Sequence, residues 1–511
     1  MKKIHKMADQ GEMLMKKKIS LLMMLFMLAL LAGCGIKRGD QKGEKKTETT
    51  SVNKENTIVW AIRDDSEIPK ENVKKFNQLL QEKGYDLAVK FLLVRADAGY
   101  EDPSIYHNAL KKEIKAGNVD LAYCEYMFAS APGEMMKFLQ SGLFLELSDW
   151  LHSDEGKEVY ELYDPDTWKG ASALGKNYIF PDETIYAWTK GIIGFEKSHV
   201  SEKAAKSWDG SWSGLWKQMK KIKLGKDERM FLGYPMPENF EGDVDHKKYQ
   251  MEDDLVYNIR TGEIQQPFAL KEFHDFLYFL HQCYEKGYLT EEQKMDSGCG
   301  SSEEELICAA KRQYAIAFGI GVNDDDLRNQ TSFLLPASIG GGTAVAANSE
   351  KKEKALELIR ILRTDDEFAN TLVWGEGKKE NALDSDGYVK KSFGKRLNVT
   401  QWSELGVNDG IIQSRDFEPL STDMRSYRKK CENSSKRLRS RILGFWPDYT
   451  GLEHEISEYQ RVLSENVDCW QEKNFEEAYR TASKNVEYVS KKLVKKLNRQ
   501  MDQYQKTMKK D

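Results

Sequence analysis

Thr57-Ile58-Val59-Trp60-Ala61-Ile62 is a short, nearly unbroken apolar run, and it reads as a buried strand. The chain beyond it alternates at a regular pitch. Pro69 suits the first turn of a helix. Val73, Phe76, Leu79 and Leu80 come next at helical spacing, and Gly84 ends the run. Leu87–Val94 reads as a second strand and Ile105–Ala116 as a second helix. Gly117-Asn118 then leads into Asp120-Leu121-Ala122-Tyr123-Cys124, a third strand. Strand–helix–strand–helix–strand at this pitch implies right-handed βαβ units and a mostly parallel sheet covered on both faces, an α/β fold. Ligands of such sheets bind beyond the carboxyl ends of the strands. That rule places Arg63–Asp65 and Glu125–Phe128 at a candidate site.

Upstream of the first strand the chain carries an address. Lys16-Lys17-Lys18 precedes the apolar run Ile19–Leu31, and Leu31-Ala32-Gly33-Cys34 comes after it. A basic region, a short apolar core and small residues at a cleavage point make a bacterial lipoprotein export signal over residues 1–33. The run falls short of the ~20 apolar residues that span a bilayer. Cys34 is the expected lipidation site, anchoring the mature chain to the outer face of a membrane. Asp9 and Glu12 are out of place in a basic region, so Met15 is an alternative start. Residues 34–56 are almost all Lys, Glu, Thr, Gln, Gly, Ser and Asn, too polar to pack, and are expected to form a flexible tether.

Downstream the pattern grows more helical and aromatic. Trp208-Asp209 is expected to open a helix through Trp216 and Met219. Leu232–Ile264 reads as irregular chain with short strands, and Phe273–Tyr284 as an apolar helix. Tyr314–Phe318 and Ala344–Ala347 resemble strands, Glu350–Arg363 an amphipathic helix. Ala478, Ala482, Val486, Val489, Leu493, Leu497 and Met501 mark a long terminal helix. The net charge of −5 argues against a nucleic-acid partner. The basic run Lys491-Lys492, Lys495-Lys496 and Arg499 reads as the solvated face of that last helix. Of the seven cysteines, six remain beside Cys34, with no C-x-x-C pair; they are expected to stay unpaired, only Cys299 and Cys308 lying close enough to suggest a local bridge.

Catalytic and metal motifs fail on inspection. His454-Glu455-Ile456-Ser457-Glu458 lacks the second histidine of a zinc-protease helix, and Gly210-Ser211-Trp212-Ser213-Gly214 has Trp where a nucleophile elbow needs Ser. Gly319-Ile320-Gly321 and Gly340-Gly341-Gly342 lack the continuations that bind dinucleotides or phosphates. Asp384-Ser385-Asp386-Gly387 lacks the spacing of a calcium loop. No cofactor or metal is expected. Paired carboxylates abound among 82 acids, which leaves glycoside hydrolysis open as a second reading.

The order of the pieces resembles the family 1 extracellular solute-binding proteins, receptor lipoproteins of bacterial ABC importers. The carriers of the resemblance are the first strand after a lipoprotein tether, Lys137–Leu147 with its Gly142-Leu143, Gly175-Lys176-Asn177-Tyr178-Ile179-Phe180-Pro181 followed by Tyr186–Gly194, and Trp208-Asp209. Ala309-Ala310 through Phe318-Gly319, Leu334-Leu335-Pro336, Gly340–Gly342 and Thr364-Asp365-Asp366-Glu367 complete it, with Phe445-Trp446-Pro447 in the tail. Tyr186-Ala187-Trp188-Thr189 departs from the family's common Tyr-Asn pair. The resemblance implies a two-lobe periplasmic-binding-protein-like (type II) fold with hinge crossings. Lobe 1 would hold 57–181 plus 331–375, and lobe 2 would hold 182–330 plus 376–511 with a helical C-terminal region. It also implies a non-enzymatic receptor that closes on a small-molecule solute, a sugar above all, and delivers it to ABC permease subunits.

Eleven Trp and 23 Tyr supply flat rings suited to the C–H faces of sugars. The candidate ligand-binding residues are Arg63 and Asp64 after the first strand, and Tyr123, Glu125 and Tyr126 at the third. Asp182, Glu183 and Tyr186 lie past the hinge, Phe318 at the second crossing, Gly341 at the glycine turn and Trp446 on the tail. For every aromatic the competing reading is lobe core. Besides the surface glycan hydrolase, a ligand-free adhesin or envelope-assembly lipoprotein is the remaining alternative.

Overall fold

The computed structural model describes residues 54–64, 66, 68–96, 103–125, 134–163, 165–173, 175–181, 188–209, 211–232, 248–289, 313–319, 327–335, 341–378 and 441–507. The export signal, Cys34 and most of the tether therefore lie outside the described residues, as do Cys299, Cys308, Cys431 and the turn at 384–387.

The first alternation forms as its apolar runs dictate. Strand β1 (Thr57–Arg63) is followed by helix α1 (Lys70–Glu82), β2 (Ala88–Val94), α2 (Pro103–Lys115) and β3 (Leu121–Glu125). Both β2 and β3 run parallel to β1 on either side of it. Alternate β1 residues face opposite layers. Ile58, Trp60 and Ile62 pack with Phe76 and Leu80 of α1, while Ala61 packs with Tyr106, Leu110 and Ile114 of α2. The sheet is covered on both faces, as the continuous apolar run requires. The tether stops short of the boundary its composition suggests. Its last residues, Lys54–Asn56, form a 3₁₀ turn, and the Asn56 side chain bonds to Asp86 and Lys354, so residues 54–56 belong to the folded body.

The chain then passes through β4 (Phe180–Pro181) into β5 (Trp188–Glu196), α3 (Trp212–Met219) and β6 (Arg229–Leu232). Helix α3 starts later than Trp208-Asp209 suggests, for a local reason. The Asp209 carboxylate accepts the Ser211 N–H at 2.9 Å and its hydroxyl at 2.6 Å, and Ser211 Oγ then caps the Gly214 N–H at 3.0 Å. A three-stranded meander comes next, β7 (Tyr249–Glu252), β8 (Leu255–Asn258) and β9 (Ile264–Gln265), and then α4 (Lys271–Glu285).

Strands β10 (Tyr314–Gly319) and β11 (Leu327–Leu335) join β5 and β6 in a second sheet of order β11-β5-β10-β6. The chain then returns as β12 (Gly341–Val345), which enters the first sheet antiparallel to β3 and next to β4, completing the order β2-β1-β3-β12-β4. Helices α5 (Lys352–Thr364) and α6 (Asp366–Trp374) cover that sheet on the α1 side. The mostly parallel sheet expected from the sequence is thus mixed, because β12 returns from the second sheet and enters antiparallel to its neighbours β3 and β4.

The tail is not a separate layer. Helices α7 (Glu453–Val467) and α8 (Phe475–Thr507) bury Ile456, Tyr459, Val486, Leu493 and Leu497 in the same core as Phe276, Leu280, Leu255 and Phe231. The α7 helix also secures the β7–β8 turn. Asp253 and Asp254 both have positive φ (51° and 62°), which non-glycine residues rarely adopt. Tyr459 Oη donates to the Asp254 carbonyl at 2.6 Å, and Gln460 Nε2 donates to its carboxylate at 3.0 Å.

Asp253 itself carries a pH dependence. Burial pushes its carboxyl up to about 6, with the nearby Tyr449 hydroxyl opposing that rise and the Asp254 charge adding to it. An unfolded aspartate titrates near ~3.9, so between the two values the folded state holds the extra proton. Stability from this group is complete at acid pH and is lost as pH rises through about 6. The melting temperature of the wild type should therefore fall across that window more than that of Asp253→Asn, which cannot ionise. Parallel pH–melting curves for the two proteins would disprove the assignment.

Candidate functional site

Two chain crossings join the sheets, and their geometry is set by the pairing on each side. The outgoing chain leaves the first sheet at β4 and enters the second at β5; the returning chain leaves at β11 and re-enters at β12. Pro181 pairs with Gly342 at one end, and Trp188 pairs with Leu335 at the other. The strands that flank the two crossings are thus paired antiparallel at either end. Two paired passages between separately cored sheets are the construction of a hinge. A Cβ at Gly342 would lie 2.3 Å from the Phe180 carbonyl oxygen, so only glycine lets the two strands come this close.

The first-sheet end of the hinge is riveted. Arg363 of α5, 2% exposed, donates to the Phe180 carbonyl at 3.3 Å and to the Tyr163 hydroxyl. The Tyr163 hydroxyl in turn donates to the Pro181 carbonyl at 3.3 Å. The Arg363 guanidinium also lies over the Tyr163 and Phe180 rings, 5.4 and 5.7 Å from their centroids. No motif marked Arg363 in the sequence, because its partners lie some 200 residues away.

Several sequence-predicted residues meet at the strand ends. Arg63 closes β1 with a buried side chain. Asp64 comes after it in an exposed turn, its N–H donating to the Val94 carbonyl at 2.9 Å and its carboxylate accepting the Ala96 N–H at 2.8 Å. Glu125 at the end of β3 pairs with Gly341 at the start of β12, so these two stand beside each other where the return crossing arrives. Phe318 lies on β10 opposite Ile193 of β5, within the second sheet that the crossings enter. Tyr126, Asp182, Glu183 and Tyr186 lie outside the described residues.

Two candidates prove to be structural. Tyr123 is 5% exposed and shares the α1-side core with Trp60 and Leu121, because strand alternation gives residues 121 and 123 the same face. Trp446 is pinned to the first lobe. Its indole N–H donates to the Ser172 carbonyl at 2.9 Å, and its ring packs against the α2-side core. Its neighbour Phe445 packs into the other core with Tyr257 and Tyr504. The tail thus sends one indole back to the first lobe. Gly444 allows this by its positive φ of 81°, with the Lys169 carbonyl 2.3 Å from where a Cβ would be.

A cavity of about 480 Å³ opens far along the tail, between α7 and α8, lined by Glu465, Asp468, Gln471, Glu472 and Glu477 among others. Its lining has no aromatic plane, so it does not suit a sugar ring. Cys283 and Cys469 are free thiols; burial raises the Cys283 thiol well above its usual range and pushes that of Cys469 up to about 12, which leaves both inert as nucleophiles near neutral pH. Among the described residues no cluster of His, Cys, Asp and Glu is placed to hold a metal ion.

Similarity to solved structures covers this whole arrangement. The N-glycan transport solute-binding protein NgtS of Streptococcus pneumoniae superposes with a TM-score of 0.60 at 18% identity, over 88% of this chain and 99% of that one. The chain has the fold of the extracellular solute-binding proteins. An HMO-binding, ABC-transporter-associated solute-binding protein from Bifidobacterium longum infantis gives 0.57 at 13% identity, over 88% and 98% of the two chains. In sequence, a carbohydrate ABC transporter substrate-binding protein of S. pneumoniae serotype 4 (strain TIGR4) is 23% identical over 486 residues, which is 85% of this chain and 86% of the relative. No family model matches the chain. With nearly nine-tenths of the chain matched, most of the tail belongs to the shared body.

Proposed function

We propose that this chain is a lipid-anchored receptor that captures a carbohydrate between two lobes and presents it to an ABC importer without altering it. The observation that carries the reading is the pair of crossings, flanked by paired strands at both ends, between two separately cored sheets. Lobe 1 comprises 57–181 and 341–375, and lobe 2 comprises 182–335 and 376–511; the boundary expected at 331 falls inside β11, which pairs with β5 in the second sheet. Residues 1–33 are the export signal, and Cys34 holds the lipid at the outer face of the membrane. The ligand class rests on the similar proteins. NgtS is solved in complex with Man1GlcNAc, and the similar S. pneumoniae protein FusA in complex with kestose, each with a TM-score of 0.52.

The binding surface is assigned to Asp64, Glu125 and Gly341 on the lobe 1 rim, with Tyr126, Asp182, Glu183, Tyr186 and Phe318 toward the second sheet; Arg63, 1% exposed, lies beneath that rim rather than on it. Charged groups and amides there suit hydroxyls, and rings suit sugar faces. Calorimetric titration against manno- and fructo-oligosaccharides should give saturable binding, with the sugar recovered intact by chromatography. Tyr186→Ala and Phe318→Ala should each weaken that binding by about 1–3 kcal/mol. Recovery of cleaved sugar would replace the receptor by a hydrolase. Unchanged affinity in both variants would move the site elsewhere.

A further inference from the structure

Helix α8 carries a feature that sugar capture does not use. Lys484, Tyr488, Lys491, Lys495 and Arg499 succeed one another at intervals of three or four, so they share one face. That face lies opposite Val486, Leu493 and Leu497, which are buried in the lobe 2 core. The stripe runs about 22 Å at 1.5 Å per residue. Lys484, Tyr488, Lys491, Lys495 and Arg499 are all exposed; Tyr488, at 86%, is far more exposed than any other large hydrophobic among the described residues. None of the four cations has an ion-pair partner among the described residues. The neighbouring Lys492 does, since its hydrogen bond to Glu455 holds that carboxyl below its usual range. Glu487 beside the stripe and Asp502 at its end are the acids nearest it in the helix. In a chain of net charge −5, four unpaired cations around one bare phenol form a patch of opposite sign to the whole.

We propose that this stripe is a docking face for an anionic phospholipid surface. Cations near such a surface are attracted within a Debye length, and a tyrosine side chain is at home at headgroup level, apolar ring inward and hydroxyl outward. Charge complementarity and the exposed ring together select a lipid interface over a protein partner, whose interface core would exclude the lysines. The setting rests on the surface tether proposed above. Docking would fix the lobe 2 side of a tethered receptor against the membrane, where the importer resides.

The test is co-sedimentation of the chain from residue 34 onward, made without lipid and holding every described element, with phosphatidylcholine vesicles with and without phosphatidylglycerol. Binding should appear only with the anionic lipid, weaken with salt, and drop on the order of a hundredfold in Lys484→Gln/Lys491→Gln/Lys495→Gln. Tyr488→Ala should lower it less. All substituted positions are exposed, and matched melting temperatures will show that the variants fold. Equal binding to neutral vesicles, undiminished binding by the triple variant, or capture of soluble polyphosphate in preference to vesicles would overturn the proposal. Fatty-acid labelling of the intact chain, lost in Cys34→Ala, reads the tether separately, so failure of the tether and failure of the stripe give different results.

Discussion

Asp120→Ala is expected to destabilise lobe 1 by about 3–5 kcal/mol, the range for breaking a buried ion pair from one side. Asp120 is 6% exposed and ties four parts of the lobe together. Its Oδ2 accepts the Val59 N–H of β1 at 2.8 Å and pairs with Lys351 Nζ at 2.7 Å; its Oδ1 accepts the Ser349 hydroxyl at 2.6 Å. Its backbone bonds Val59 on one side and Ala346 on the other, each at 2.9 Å. Alanine would leave a part-buried N–H and a buried hydroxyl without their acceptor, and the Lys351 ammonium with only the Thr57 carbonyl. Asp120→Asn, which keeps an acceptor oxygen but loses the charge, should cost less. Chemical denaturation compares the three proteins, and a loss below about 1 kcal/mol in the alanine variant would mean that water replaces the carboxylate at little cost.

Leu493→Ala and Leu497→Ala should each cost about 2–5 kcal/mol, the range for a leucine deleted from a packed core. Both are fully buried in the lobe 2 core. A chain stopped before Phe475 would strip that core of Phe475, Ala482, Val486, Leu493, Leu497 and Met501 together, and lobe 2 should not fold. Soluble, cooperatively unfolding protein from that truncation would show that α8 is an accessory.

The sequence announced some of this architecture and not the rest, for identifiable reasons. Strands β1 to β3 and the helices between them were legible because they are buried on both sides and their signals are local. The insertion of β12 between β3 and β4 was not, since it is decided by pairing across more than 150 residues. The α3 start was misplaced by an Asp209–Ser211 turn that side-chain oxygens compete to form. The strand-end rule placed Arg63, Asp64 and Glu125 at the ends of β1 and β3 from topology alone, and they lie there. Alternation from Leu121 would have turned Tyr123 inward, whereas nothing local to Trp446 announced its bond to Ser172. Asp120 and Arg363 were silent for the same cause as β12: their partners are remote in the chain.

Closure of the two lobes on a carbohydrate is what would make this chain a receptor. Two lobes joined by thin crossings favour an open form when free, and a ligand that touches both shifts the balance only by binding the closed form more tightly. Small-angle scattering of the chain from residue 34 onward, with and without an oligosaccharide shown to bind by calorimetry, measures this directly. A smaller radius of gyration at saturation is predicted. An unchanged radius with the site fully occupied would contradict it.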